Sequence, residues 1–288
     1  MTEKYTTVSF SGGKDSTAML LHMIELGEHI DEVINCDTGM EFPAMYDHID
    51  KVREIVESHG IKYTTIRGKY SFEYYMLELP IKSEKYGDHI GYGWPSMNCR
   101  WCTKHLKTEP TDKYLKELRQ TYDVIQCIGL ASDEVKRLRR ANNQKASHRH
   151  PLVEWGWTEA DCLQYCRSKG FDWNGLYDIF NRVSCWCCPM ARTEELRKLW
   201  EYFPDLWHQL EVWETRLGEP DVGKRQAYWF KDHITVFDLA ERFTLERQRI
   251  ERGLSIRSPG FYRTLNATLR DIPETQKTLW DWDSEGSA

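Results

Sequence analysis

The sequence is short of everything that would place it in a membrane or outside a cell. No run within its 288 residues approaches the ~18 apolar residues of a membrane span. The opening MTEKYTTVSF holds no apolar leader, so the expected location is the cytoplasm and no membrane partner is expected. A basic excess is missing as well. Lys and Arg number 39 against 45 Asp and Glu, a formal net charge of −6, which argues against wholesale nonspecific nucleic-acid binding and leaves room only for a local basic face. There is no internal repeat and no low-complexity tract. Cysteine is absent after Cys188, although nine occur up to that point. With no export signal, clustered cysteines read first as metal or cluster ligands rather than as disulfides. The length exceeds one typical domain, and we expect an α/β domain over residues 1–190 followed by a mainly helical region over 191–288.

What is present is organised around Thr7-Val8-Ser9-Phe10-Ser11-Gly12-Gly13-Lys14-Asp15-Ser16-Thr17. A β-prone run ends in a serine-glycine-glycine turn, and the apolar pattern of Ala18, Met19, Leu21 and Met23 predicts a helix that stops near Gly27. Strand, glycine turn and helix start make a phosphate cradle. Gly12 and Gly13 clear side chains from the backbone, the helix-start amides donate, and the helix dipole adds positive potential. Ser11, Ser16 and Thr17 offer hydroxyls and Lys14 a point charge. The spacing is neither Gly-x4-Gly-Lys-Ser/Thr, because Asp15 follows the lysine, nor Gly-x-Gly-x-x-Gly. Ser11 to Ser16 after a strand resembles the pyrophosphate loop (PP-loop) of the N-type ATP pyrophosphatases and their phosphoadenosine-phosphosulfate (PAPS) reductase relatives. The resemblance implies an adenine nucleotide alpha hydrolase-like fold, with a parallel open sheet flanked by helices and a helical C-terminal extension.

Glu32 to Cys36 reads as the next buried strand, and Asp37-Thr38-Gly39-Met40-Glu41-Phe42-Pro43 leaves its end. In open α/β sheets ligands lie beyond the carboxyl ends of strands, so this loop and the first are expected to share one crevice. The wording of residues 37–43 also resembles a second signature of the PAPS reductase-like proteins, which implies that Asp37, Thr38 and Gly39 approach the nucleotide. A plain strand-to-helix loop capped by Asp37 or Thr38 is the alternative. Pro43 to His59 carries Met45, Ile49, Val52 and Val56 on one helical stripe, and Ile61 to Ile66 is a third strand. Residues 68–98 read as a loop or lid rich in aromatics, among them Tyr70, Phe72, Tyr74, Tyr75, Tyr86, Tyr92 and Trp94. They read first as packing, with stacking on a base as the alternative.

Val124 to Leu130 is a strand, and Lys136 to Lys145 behind it is densely basic. A charge run is usually a solvated face, but its likeness to a G-x-R-x-x-E-x-x-R stretch of the family implies that Arg137 and Arg140 meet the ligand's anionic group. Leu130-Ala131 stands where the family's first arginine usually falls. Thr158 and Asp161 have capping-box spacing and read as holding a helix. From Thr193 onward the pattern is helical and rich in tryptophan.

Cys99-x2-Cys102 and Cys185-x2-Cys188 are two bidentate clips whose four sulfurs suit zinc or an iron-sulfur cluster equally, with Cys187 an alternative ligand. Assimilatory adenylyl-sulfate reductases resemble this chain in a cysteine pair ahead of Lys-x-x-Pro and a later C-x2-C, which bind a 4Fe-4S cluster beside the nucleotide. Lys107 and Pro110 fit that pattern, Cys102 falls on the first cysteine and Thr103 on the second, so Cys99 would have to supply the missing ligand. The likeness implies a role for Lys107 at the nucleotide and favours the cluster over zinc. The reductases also carry a nucleophilic cysteine in a C-terminal tail, for which this sequence offers no counterpart.

The expected activity is therefore ATP-dependent adenylation with pyrophosphate release, serving sulfur transfer. Lys14 and Asp15 are its catalytic residues, Ser11, Gly12, Gly13 and Ser16 bind the phosphates, and Mg²⁺ is organised by Asp15 or Asp37. A sulfonucleotide reductase and a silent nucleotide sensor are the alternatives. A sulfur donor, a nucleic-acid or protein acceptor, and a second copy of the chain remain open as partners.

Overall fold

The computed structural model describes residues 3–84, 87–135, 137, 147–218, 229–231 and 234–256. The chain divides into two compact units, residues 1–72 with 102–186 and residues 73–101 with 187–288.

The first unit is built on an open sheet. Its strands are β1 (Lys4–Phe10), β2 (Glu32–Asp37), β3 (Lys62–Arg67), β6 (Asp123–Ile128) and β7 (His148–Arg149), in the order β3-β2-β1-β6-β7. Every pairing is parallel, with Phe10 opposite Asn35 and Ser9 opposite Ile128 at the carboxyl ends. Parallel strands need crossovers, and here they are α1 (Lys14–Glu25) and α2 (Pro43–Ser58). This is the expected α/β class. β1 is the central strand, and the order reverses between β1 and β6, the switch point beyond whose carboxyl ends open sheets bind ligands.

The sequence dictates this core locally. Val8 and Phe10 alternate inward on β1, and α1 buries Ala18, Met19, Leu20 and Met23 completely. Burying each of the larger side chains contributes about 1.5–3 kcal/mol. Helix α2 starts on Pro43, whose missing N–H costs nothing at a helix start, and Gly60 at φ +73° ends it.

The helix α4 (Trp101–Thr103) runs through a π-helical turn at Lys104–Thr108 into α5 (Glu109–Leu118). Pro110 has no N–H to give the carbonyl four residues back, that of Leu106. The Cys36 thiol supplies that donor at 3.1 Å. Helix α6 (Pro151–Glu154) and α7 (Glu159–Ser168) follow β7, and a turn through Trp173–Gly175 leads into the short α8 (Leu176–Ile179).

The second unit holds most of α3 (Phe72–Leu77), the hairpin of β4 (Pro80–Ile81) and β5 (His89–Ile90), and the helices α9 (Thr193–Tyr202), α10 (Pro204–Leu217) and α11 (Val236–Glu251). Residues 68–98 therefore carry a helix and a hairpin, both too short to show a period in the sequence. Of their aromatics, Phe72, Tyr75 and Trp94 are buried, while Tyr70 is exposed. Trp94 is fully buried, edge-on to Phe230 with ring centres 4.8 Å apart, and Tyr92 stacks on Trp101 at 5.7 Å. Tyr86 and the terminal Trp280 and Trp282 lie outside the described residues. No described helix is long and apolar enough to cross a membrane.

Candidate functional site

The loop between β1 and α1 has the geometry its residues demand. Gly12 sits at φ +77°, and a Cβ there would come within 2.7 Å of Met45 Sδ and 2.8 Å of Ile49 Cγ1, so this turn can lie against α2 only as glycine. Gly13 is the residue before α1, in extended conformation and with no side-chain cap on the helix. Ser16 closes the turn by donating to the Gly13 carbonyl at 3.0 Å and accepting from the Ser11 amide at 3.2 Å. Beneath it, Thr17 Oγ1 meets His48 Nε2 at 2.9 Å inside the core. Burial pushes the His48 imidazole down to about 4.

A cavity of about 220 Å³ opens over this loop, lined by Ser11, Gly13, Lys14, Asp15 and Ser16 together with residues from three other segments. Gly129, just past β6, forms part of its wall. A Cβ on Gly129 would lie 3.0 Å from the Ser16 nitrogen and 2.9 Å from Ser16 Cα, so only glycine leaves the helix start uncovered from that side.

Lys14 is 8 % exposed, and its ammonium is held by Asp15 at 2.8 and 3.1 Å and by Glu159 at 2.6 Å. Burial by itself would lower the Lys14 pKa. The Asp15 bond and charge, followed by Glu159, outweigh it and raise the pKa, so the group stays charged. Burial pushes Asp15 up, against the pull of Lys14. Arg137 and Arg182 also reach the cavity, as does Glu134, which pairs with Arg137. Three cations thus face three carboxylates. Such a cavity is neutral but polar, with a helix N-terminus at its floor, and it can accept an anion by rearranging charges already present.

The model of the phosphoadenosine phosphosulfate reductase domain matches residues 6–191, the span that carries this loop, the sheet and the later cavity residues. The chain belongs to that family. It is 30% identical over 227 residues to an uncharacterized protein of Methanocaldococcus jannaschii, covering 75% of this chain and 42% of the relative. A second such protein of that organism is 26% identical over 234 residues, covering 77% and 50%. An uncharacterized nin region protein of Escherichia phage lambda is 28% identical over 195 residues, covering 62% and 64%. The chain spans about half the length of the curated relatives it matches. Among solved structures it is similar to a phosphoadenylyl-sulfate reductase from Candida auris in complex with phosphate. The identity is 21%, the TM-score 0.41, and the coverage 65% of this chain and 82% of the other. It is also similar to a U34-tRNA thiolase from Methanococcus maripaludis with its 4Fe-4S cluster. There the identity is 17%, the TM-score 0.37, and the coverage 90% and 76%.

Within this PAPS reductase-family domain, Ser11, Gly13, Lys14, Asp15, Ser16 and Arg137 come together at the cavity, with Gly12 behind them. Arg140 lies outside the described residues, as do Lys136 and Lys145. Asp37, Thr38, Gly39 and Lys107 are not among the cavity's lining. The Asp37 carboxylate receives the Gly39 amide at 2.8 Å, the Tyr46 hydroxyl at 3.0 Å and Arg67 Nε at 2.9 Å, so it folds its own loop. Thr38 likewise accepts from the Met40 amide.

Lys107 Nζ stands 4.0 Å from Cys185 Sγ and 4.0 Å from Glu41 Oε1, and the attraction of Cys185 leads the causes that raise its pKa. Cys102 and Cys185 belong to the first unit, Cys99 and Cys188 to the second. Among the described residues, no three His, Cys, Asp or Glu side chains converge as ligands of one ion. The four thiols are divided between the two units, and no chemical step is assigned to a metal or cluster here.

Two cavity residues, Glu159 and Arg182, carry no site signal in the sequence, whereas Glu134 falls on the glutamate of the G-x-R-x-x-E-x-x-R likeness. The capping box of Thr158 and Asp161 forms as its spacing predicts, with Asp161 N donating to Thr158 Oγ1 at 3.2 Å and Thr158 N to Asp161 Oδ2 at 2.8 Å. The box aims the next residue, Glu159, at Lys14.

Proposed function

We propose that this PAPS reductase-family chain binds the phosphates of ATP or a related adenine nucleotide on the Ser11–Ser16 loop and uses them to activate a substrate for sulfur transfer. The observation that carries the reading is the buried, doubly paired Lys14 at the start of α1, in a cavity whose wall is bare at Gly13 and Gly129. In the reaction a substrate oxygen attacks the α-phosphorus, the bond to the bridging oxygen breaks, and pyrophosphate leaves with the bond's electrons. The charge that builds on the leaving oxygens is met by the Lys14 ammonium and the amides of the helix start, which are fixed in place before the reaction. Membership of a sulfur-handling family supports sulfur as the nucleophile that then displaces the adenylate. Asp15 holds Lys14 between the phosphates and the protein, and a divalent cation accompanies the polyphosphate.

Pyrophosphate release from ATP tests this reading. Lys14→Ala is expected to lower release at least a hundredfold, since the group both binds and stabilises developing charge, and release unchanged in that variant would sink the proposal. Family membership by itself favours a second reading, reduction of an adenylyl sulfate. Sulfite formed from such a substrate with a dithiol donor, without pyrophosphate release from ATP, would establish it instead. Nucleotide binding with neither product would identify a sensor.

A further inference from the structure

The turn ahead of α8 is strained. Trp173 and Asn174 have φ of +53° and +51°, and Gly175 follows at +81°. Two non-glycine residues in succession in the left-handed region carry a penalty of order 1–3 kcal/mol each and persist only where surrounding contacts enforce them. Those contacts reach the phosphate loop. Trp173 Nε1 donates to the Gly12 carbonyl at 2.8 Å, and its ring lies 4.4 Å from that of His48. Four residues on, the Tyr177 hydroxyl accepts the backbone N–H of Lys14 at 3.0 Å. That N–H is one of the donors a helix start would present to an anion.

The phenol therefore stands between the Lys14 amide and the cavity, which Tyr177 itself lines. A phenol accepts and donates through one oxygen. Its acceptor side is taken by the amide, and among the described residues no acceptor takes its proton. We propose that Tyr177 is a phosphate-binding residue: it receives the Lys14 amide and passes its own hydroxyl hydrogen to an oxygen of the bound phosphate group. The amide polarises the phenol, so the relay donates more strongly than a lone hydroxyl. Burial pushes the Tyr177 pKa up to about 12, which keeps the donor protonated throughout the neutral range. The left-handed turn is then the device that brings an aromatic hydroxyl over a helix start. The inference rests on the phosphate-binding reading of the loop and adds to it a residue outside the glycine motif.

Calorimetric titration with inorganic pyrophosphate tests it on the full chain. Tyr177→Phe is expected to weaken binding about tenfold, the equivalent of ~1.4 kcal/mol. If the phenol merely plugs the amide, its removal frees a donor and binding tightens. Tightened or unchanged binding overturns the relay while leaving the phosphate site standing, whereas no binding by the wild-type chain overturns the phosphate reading itself. Should Tyr177→Phe fail to fold, trifluorotyrosine at position 177 keeps the shape and the acceptor but ionises near neutral pH. Its pyrophosphate affinity should fall relative to that of the wild type as pH rises through that ionisation, and a parallel profile for the two proteins refutes the inference.

Discussion

On the phosphate-binding reading, Glu159 competes with the anion for Lys14, and Glu159→Gln should therefore tighten phosphate binding. The two groups meet at 2.6 Å. At that separation two unit charges attract by about 6 kcal/mol in a medium of effective dielectric ~20, but the Glu159 side chain is 46% exposed, and water screening brings such a pair to about 1 kcal/mol or less. Losing the counter-charge while Asp15 still holds Lys14 should strengthen pyrophosphate binding about three- to fivefold. The gain should shrink at high salt, because screening weakens the competing pair that the substitution removes. Glutamine preserves the helix start, since the Glu159 amide bond to Asp133 Oδ1 is a backbone contact. Calorimetric titration of both proteins at low and high salt measures the difference. Weaker binding in Glu159→Gln would refute the competition and make Glu159 a group that assists the ligand.

Two further predictions concern the frame. Gly12→Ala places a Cβ into Met45 and Ile49 at a left-handed position, and the two penalties sum to about 2–5 kcal/mol. Urea denaturation should show that loss, and a shift below ~1 kcal/mol would mean that the turn can move away from α2. In the second unit Glu214, 6% exposed, accepts the Val236 amide at the start of α11, and burial raises its pKa to about 8, with Asp238 adding to the rise. Its folded pKa lies above the ordinary ~4.3 of the unfolded chain. Stability is therefore greatest below ~4.3 as far as this group is concerned, and it falls by up to a few kcal/mol as pH rises to about 8. Glu214→Gln should flatten that slope in denaturation measured across the range, and an unchanged slope would assign the pH dependence elsewhere.

What was legible in the sequence is what neighbours along the chain decide. The turn at Gly12, the helix start at Lys14, the capping box at Thr158 and the parallel α/β alternation depend on contacts within a few residues or on hydrophobic period, and they stand where the pattern puts them. The partners of the loop do not announce themselves. Trp173 and Tyr177 reach Gly12 and Lys14 across more than 160 positions, and Glu159 meets Lys14 across 145. Only folding of the parallel sheet brings those segments together. Asp37 shows the converse: its place at the end of β2 was readable, but two of the three donors that occupy its carboxylate come from α2 and β3.

The neutrality of His48 has a consequence for how the loop behaves as pH changes. An imidazole directly behind such a glycine turn would ordinarily gain or lose a positive charge between about pH 5 and 8. Here burial has moved that transition down to about 4, so the floor beneath Thr17 and Gly12 carries the same charge, none, whether the surroundings are mildly acidic or alkaline. On the phosphate-binding reading, the loop's attraction for an anion would be set from the front, by Lys14 and the helix amides, and the scaffold that holds it would not turn acidity into a change of affinity.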